Sequence, residues 1–162
     1  KFMEQLEKKY AGFWWRFLAI IIDGLIIGVV KWIIITPILA AVGFGAFKAA
    51  TSGNMDETAA IGLAGALAGV IVVTSSMIAV VSWLYYSLME SSKFQGTIGK
   101  LALGITVTDM EGNRISFGQA TGRFFGKIIS VIILYIGFMM AGFTEKKQGL
   151  HDILAGTLVW KK

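Results

Sequence analysis

The sequence contains no cysteine, one histidine and one proline among 162 residues, and only 15% of them are charged. Without cysteine there is no disulfide framework, no thiolate metal site and no thiol nucleophile. A single histidine, His151, forms no histidine cluster, and too few ligands lie near it in sequence for a transition-metal site. What remains is apolar: 56% of the residues are hydrophobic and mean hydropathy is +0.71. A soluble domain of this size has too little interior to hide that much apolar surface, so lipid must cover much of it. The composition places the chain among integral membrane proteins, as a single domain over residues 1–162.

Enzyme templates fail on inspection. "GTIGK" at 96–100 ends like a phosphate loop, but Phe94 stands where its first glycine belongs and Leu101 replaces Ser or Thr. "GFG" at 43–45 lacks the third glycine of a dinucleotide fingerprint, and "DMEG" at 109–112 puts its glycine too early for a calcium loop. No serine occupies a nucleophile elbow. The expectation is therefore no enzyme, no cofactor and no bound metal. The net charge of +5 follows loops that flank apolar runs, which favours anionic lipid headgroups and gives nucleic-acid binding no support.

Three apolar stretches are long enough to cross a bilayer, which takes about 20 helical residues. The first is expected over 13–35, with Trp14 and Trp15 at one end and Lys31 and Trp32 at the other as interfacial anchors. It is too long for a signal peptide, carries Asp23 and lacks a cleavage site, so it is expected to stay. Pro37 disfavours helix at Thr36 and is expected to end the run, leaving 38–50 as a separate short helix or interfacial piece. The second span is expected over 60–89, with small residues at Gly65 and Gly69 offering a close-packing face. The third is expected over 124–143, preceded by Gly118, Gly122 and Gly126 at four-residue spacing.

Between the second and third spans, residues 90–122 read as a polar loop. "ITVTD" at 105–109 alternates and is β-branched, and "MEGNR" at 110–114 supplies turn chemistry, which predicts a small β-hairpin. Lys and Arg concentrate before the first span and in this loop, whereas only Lys48 stands between the first two spans. The N-terminus and the 90–122 loop are therefore expected in the cytoplasm of a multi-pass cell-membrane protein. The C-terminal Lys146, Lys147, Lys161 and Lys162 favour the same side, although three crossings would put the tail outside. The fold class is thus all-α integral membrane, with three transmembrane helices, or four if the third segment is a hairpin, and a small cytoplasmic β-hairpin.

Asp23 is the sharpest residue. It stands seven positions after Arg16, on nearly the same helix face but about 10 Å further along the axis. Helical side chains lean toward the N-terminus, so Arg16 points back to the headgroups and no direct pair forms within one helix. A charged carboxylate at mid-span costs roughly 2.5–3.5 kcal/mol. Asp23 must lose its charge or find a partner on another helix. Thr74, Ser75 and Ser76 in the second span, with Ser130 and Tyr135 in the third, offer hydroxyls at matching depth. Such a belt holds a cation or passes a proton; equally, Asp23 ties two helices together and the hydroxyls bond their own backbone. Arg16 is either a headgroup anchor or a partner for Asp152, Asp109 or Glu90. Asp152 either caps the helix implied by "LHDILAG" at 150–156 or enters a charge pair.

Taken together, "YAGFWWRFLAIIIDGLI" at 10–26, "QGTIGKLALGITVTDMEGNRISFGQATGRFF" at 95–125 and "KKQGLHDILAGTLVW" at 146–160 resemble the RDD family of small membrane proteins. By that resemblance Arg16, Asp23 and Asp152 are the namesake arginine and aspartates. The resemblance implies transport of a small cation coupled to protons, of the sodium–proton exchange type. In that reading Asp23, Thr74, Ser75 and Ser76 bind the ion or proton, Arg16 and Asp152 gate the cytoplasmic side, and several copies assemble. The alternative is a non-catalytic scaffold or accessory subunit that packs through its glycine faces.

Overall fold

A computed structural model describes residues 9–53 and 56–161. In chain order they form β1 (Lys9–Tyr10), α1 (Phe13–Thr51), α2 (Glu57–Ser91), α3 (Ile98–Ala102), β2 (Ile105–Asp109), α4 (Phe117–Ile132), α5 (Ile136–Phe143), α6 (Leu150–Leu154) and β3 (Thr157–Lys161). The chain divides into two units: residues 26–82, and a second built from the described residues of 9–25 together with 83–161.

The first unit holds the apolar stretches of α1 and α2. Helix α1 runs through Pro37 without a break, so the expected separate segment at 38–50 does not form. Ending a helix in hydrocarbon strands several backbone groups, whereas continuing past one proline forfeits a single hydrogen bond and bends the helix at most. At 39 and 35 residues, the two helices are about 58 and 52 Å long, beyond the ~30 Å of a hydrocarbon core. Both are apolar enough to cross a membrane, and large side chains such as Val29, Trp32, Phe44, Ile71 and Val73 are exposed along them. That is the surface lipid would cover.

The other unit is organised around a three-stranded antiparallel sheet of order β1-β3-β2. The strand expected at 105–109 is present, but the hairpin is not. Asp109 turns the chain at 110–113 by accepting the Glu111 and Asn113 N–H groups on Oδ1, and the chain then enters α4 through a Ser116–Gln119 capping box. The partner of β2 is instead β3, with Val107 opposite Val159, and the other edge of β3 pairs Tyr10 with Trp160. A strand with Ile105 and Val107 inward needs an apolar mate, and "TLVW" supplies one where the polar "NRIS" does not. Stacking of Tyr10 on Trp160 at 4.4 Å, and of the Lys161 ammonium over Trp15 at 3.0 Å, fastens the tail to the start of α1. Ala11, Ala19, Ile105, Val107, Ile115, Ala120 and Val159 form the small buried core.

The third apolar segment, expected as a single span or as a hairpin, is not straight. Helices α4 and α5 are bent by 104° at the break between them, where Leu134 and Tyr135 both adopt left-handed backbone angles (φ 54° and 63°). Gly137 permits the fold-back, because a Cβ there would collide with the Ser130 hydroxyl. Gly126 does the same for α6, where a Cβ would lie 3.0 Å from His151 Cα. Ser130 itself donates to the Gly126 carbonyl of its own helix, and Tyr135 is exposed.

A left-handed residue other than glycine costs about 1–2 kcal/mol. Leu134→Gly is therefore expected to leave thermal unfolding in detergent unchanged or raise it, whereas Ile128→Gly within α4 lowers stability by about 1 kcal/mol or more. Equal losses at the two positions would mean a continuous third helix.

Candidate functional site

Arg16, Ala19 and Asp23 are the buried residues of α1, at helical spacings of three and four on one stripe. Ala19 and Asp23 face the end of α2 and the segment after it, whereas Arg16 faces α6 and the segment before it. Asp23 Oδ1 accepts the Tyr85 hydroxyl at 2.9 Å and the Gly99 N–H at 2.8 Å, and Oδ2 accepts the Thr97 hydroxyl at 2.5 Å. The Tyr85 oxygen in turn accepts the Ile98 N–H at 3.1 Å. Position 99 must be glycine for this approach: a Cβ would overlap the Ala19 carbonyl and come within 3.0 Å of the Asp23 carboxyl. Asp23 thus joins α1, α2 and α3 through neutral donors.

The same unit holds a cluster of buried charges. Glu90, in the last turn of α2, receives Lys100 Nζ at 2.6 Å and Lys127 Nζ at 3.3 Å on Oε1, and Arg123 Nε at 2.8 Å on Oε2. Arg123 Nη1 donates to Thr157 Oγ1 at 2.5 Å and forms an ion pair with Asp152 Oδ1 at 2.7 Å. Asp152 Oδ2 accepts Arg16 Nη1 and the Gly149 N–H. Arg16 completes its fork with Nε to the Ala11 carbonyl at 2.7 Å and Nη2 to the Lys147 carbonyl. Among its sequence candidates, Arg16 therefore pairs with Asp152, while Asp109 serves its own turn and Glu90 serves Arg123. Asp152 does both things proposed for it, holding the backbone at the start of α6 and pairing with arginine.

Burial alone would raise the Asp152 carboxyl, but Arg123 and Arg16 outweigh it and hold the group below the usual carboxylate range. Burial lowers Lys100 to about 7 against the pull of Glu90. Burial likewise lowers His151 to about 3 despite Asp152, so its ring is neutral at physiological pH. Its Nδ1 has no hydrogen-bond partner among the described residues.

Some of these groups border a cavity of about 420 Å³. Phe13, Phe17, Ile20, Phe138 and Met139 give it apolar walls, and Asp23, Lys100, Arg123, Lys127 and His151 interrupt them.

The hydroxyl belt expected from Thr74, Ser75 and Ser76 is not what Asp23 binds. Thr74 donates to the Val70 and Ile71 carbonyls of its own helix at 2.6 and 3.2 Å, and Ser75 and Ser76 are exposed. A threonine hydroxyl one turn below a free lone pair takes that bond at no cost in ordering. The hydroxyls that serve Asp23 are Tyr85 and Thr97, at the end of α2 and in the loop beyond it. Sequence reasoning also passed over Lys100, Arg123 and Lys127 as topology charges and treated Glu90 as one alternative for Arg16. The available signal was an acid in the last turn of an apolar span, with two bases four residues apart in "GRFFGK".

Removing one member of a buried ion pair leaves an uncompensated charge, at a cost of about 3–5 kcal/mol. Glu90→Gln is expected to cost that much in chemical unfolding of the purified protein, and Asp23→Asn only about 1–3 kcal/mol because its partners are neutral. The reverse ranking would remove Glu90 from the centre of the structure.

The chain is 46% identical over 152 residues to the uncharacterized protein YxaI of Bacillus subtilis (strain 168), covering 94% of this chain and 97% of that one. It is 26% identical over 162 residues to the uncharacterized membrane protein YteJ of the same organism, covering 96% of this chain and 84% of the other. No solved structure matches it. The RDD family model matches residues 10–156, which include Arg16, Asp23 and Asp152, and the chain is a membrane protein belonging to the RDD family.

Proposed function

We propose that the protein exchanges a small cation for protons across the cell membrane, with Asp23 as the group at which the two compete. One observation carries this reading. Asp23 borders the cavity and is held by hydroxyls and an N–H, whereas Glu90 and Asp152 are both committed to bases. A hydroxyl donates or accepts as required, so Tyr85 and Thr97 can turn their lone pairs to a cation that replaces the proton. Arg16 and Asp152 tie α1 to α6 beside this site and act as its gate on the sheet side.

The reading includes a topology. β1 precedes α1, β2 follows α2 and β3 ends the described chain, yet β1 and β2 are both hydrogen-bonded to β3 in one sheet. A small polar-edged sheet occupies one side of a bilayer, since open edges are not tolerated in lipid. With α1 and α2 each crossing once, the bent α4–α5 pair enters and leaves on the same side. Lys93, Lys100, Arg114, Arg123, Lys127, Lys146, Lys147 and Lys161 then share that side, which the charge bias makes cytoplasmic.

The second reading is a scaffold that packs against another protein or a second copy. It draws on Gly62, Gly65 and Gly69 of α2, where an added Cβ would meet nothing within 4 Å.

Two measurements test these statements. In proteoliposomes, wild type is expected to take up sodium when a pH gradient is imposed, and Asp23→Asn to lose at least tenfold of that flux. A silent wild type would overturn the transport reading, and undiminished flux in Asp23→Asn would remove Asp23 from it. The cysteine-free chain also permits single-cysteine labelling: Glu111→Cys and Glu145→Cys are expected to react from one face of the membrane and Glu57→Cys from the other. Labelling of Glu111→Cys and Glu145→Cys from opposite faces would make α4–α5 a true crossing.

A further inference from the structure

The ion pairs beside the cavity do not balance. Arg16, Lys100, Arg123 and Lys127 share two carboxylates, Glu90 and Asp152. Counting Asp23 still leaves four bases against three acids, and His151 adds no negative charge. Excess positive charge in a buried cluster is costly, and an anion brought into contact with it would be stabilised on both sides. Burial relieves part of the excess by lowering Lys100 to about 7.

Lys127 is placed to take such an anion. Its side chain is 19% exposed against 10%, 8% and 1% for Arg16, Lys100 and Arg123, and its bond to Glu90 is the longest of the carboxylate's three, at 3.3 Å. An ammonium has three donors, and among the described residues this one has a single acceptor besides the face of Tyr86 at 4.5 Å. The rest of the cavity is built for hydrocarbon. Phe13, Phe17, Val131, Phe138 and Met139 line it, and a hydrophilic anion would leave these walls bare. At about 420 Å³ it lies near the small end of the roughly 300–1,000 Å³ range of organic-ligand sites, which suits one chain and not two.

We infer that this cavity binds a single-chain amphipathic anion, a carboxylate on an alkyl chain, with its head at Lys127 and Arg123 and its chain along the phenylalanines. The site uses the basic end of the cavity and does not require Asp23 to move ions, so it stands or falls apart from the exchange reading.

The test is thermal unfolding of the full chain in phosphatidylcholine nanodiscs with dodecanoate, dodecanol or acetate added. Binding to the folded state raises Tm saturably, and dodecanoate is expected to do so while dodecanol and acetate do not. Lys127→Met is expected to weaken the apparent affinity for dodecanoate at least tenfold. Met139→Trp, which fills the cavity without altering charge, is expected to abolish the shift. An equal shift with dodecanol, an equal shift with acetate, or wild-type affinity in both variants would each overturn the proposal. So would loss of the dodecanoate shift when phosphatidylglycerol is included in the disc, since the occupant would then be a bilayer lipid.

Discussion

Arg123 is the residue on which the remaining structure depends. It touches both buried carboxylates of the ion-pair cluster, Glu90 through Nε and Asp152 through Nη1, and reaches Thr157 at the start of β3. Through Glu90 it holds the end of α2, through Asp152 it holds α6 and the Arg16 fork, and through Thr157 it sets the strand that joins the other two. Each of those carboxylates would be expensive in this interior without a base, and each base without an acid. The hydrophobic core beside them is small and made largely of alanine and β-branched residues, so polar pairing carries an unusual share of the tertiary specification.

The same arrangement explains why the sheet is assembled from distant pieces. Strands of two to five residues make no stable sheet by themselves. Here the start of α1, the end of α2 and the start of β3 are held together by bonds from Arg16, Glu90 and Thr157, and the strands beside them pair in the register that puts Val107 and Val159 inward. Two neighbouring environments result. Around Asp23 every partner is neutral and two of them are hydroxyls able to reverse their bonds, whereas Glu90 is met by three bases and Asp152 by two arginines and one backbone N–H. The proposed exchange uses the first environment, and the second supplies its gate and the ion pairs that hold the elements together. The cavity borders both.

Much of the membrane character was legible in particular residues. The unbroken apolar runs, the paired tryptophans at 14 and 15 and the distribution of lysines and arginines require no tertiary information. Pro37 misled because its cost was weighed as in water, where a broken helix is resolvated, and not as in lipid, where it is not. The strand at 105–109 was legible from its alternation, but its partner was not: pairing over some fifty residues leaves no local signal, and the turn after it imitates a hairpin. Thr74, Ser75 and Ser76 drew attention by depth along the helix, although azimuth and competition from their own backbone decide what a hydroxyl binds.

Sequence by itself determined that the chain lives in a membrane, that it does so without disulfides or a thiolate or multi-histidine metal site, and that Arg16 and Asp23 answer to different partners. That separation follows from helix rise and side-chain lean alone. Only the tertiary structure decided which partners those are, because Asp152 and Lys147 lie more than a hundred residues from Arg16, and Tyr85, Thr97 and Gly99 more than sixty from Asp23. It also decided that the third apolar segment is bent by 104°. A backbone reversal at Leu134 and Tyr135 rests on the room that Gly137 leaves for Ser130, a contact between helices that no periodicity records.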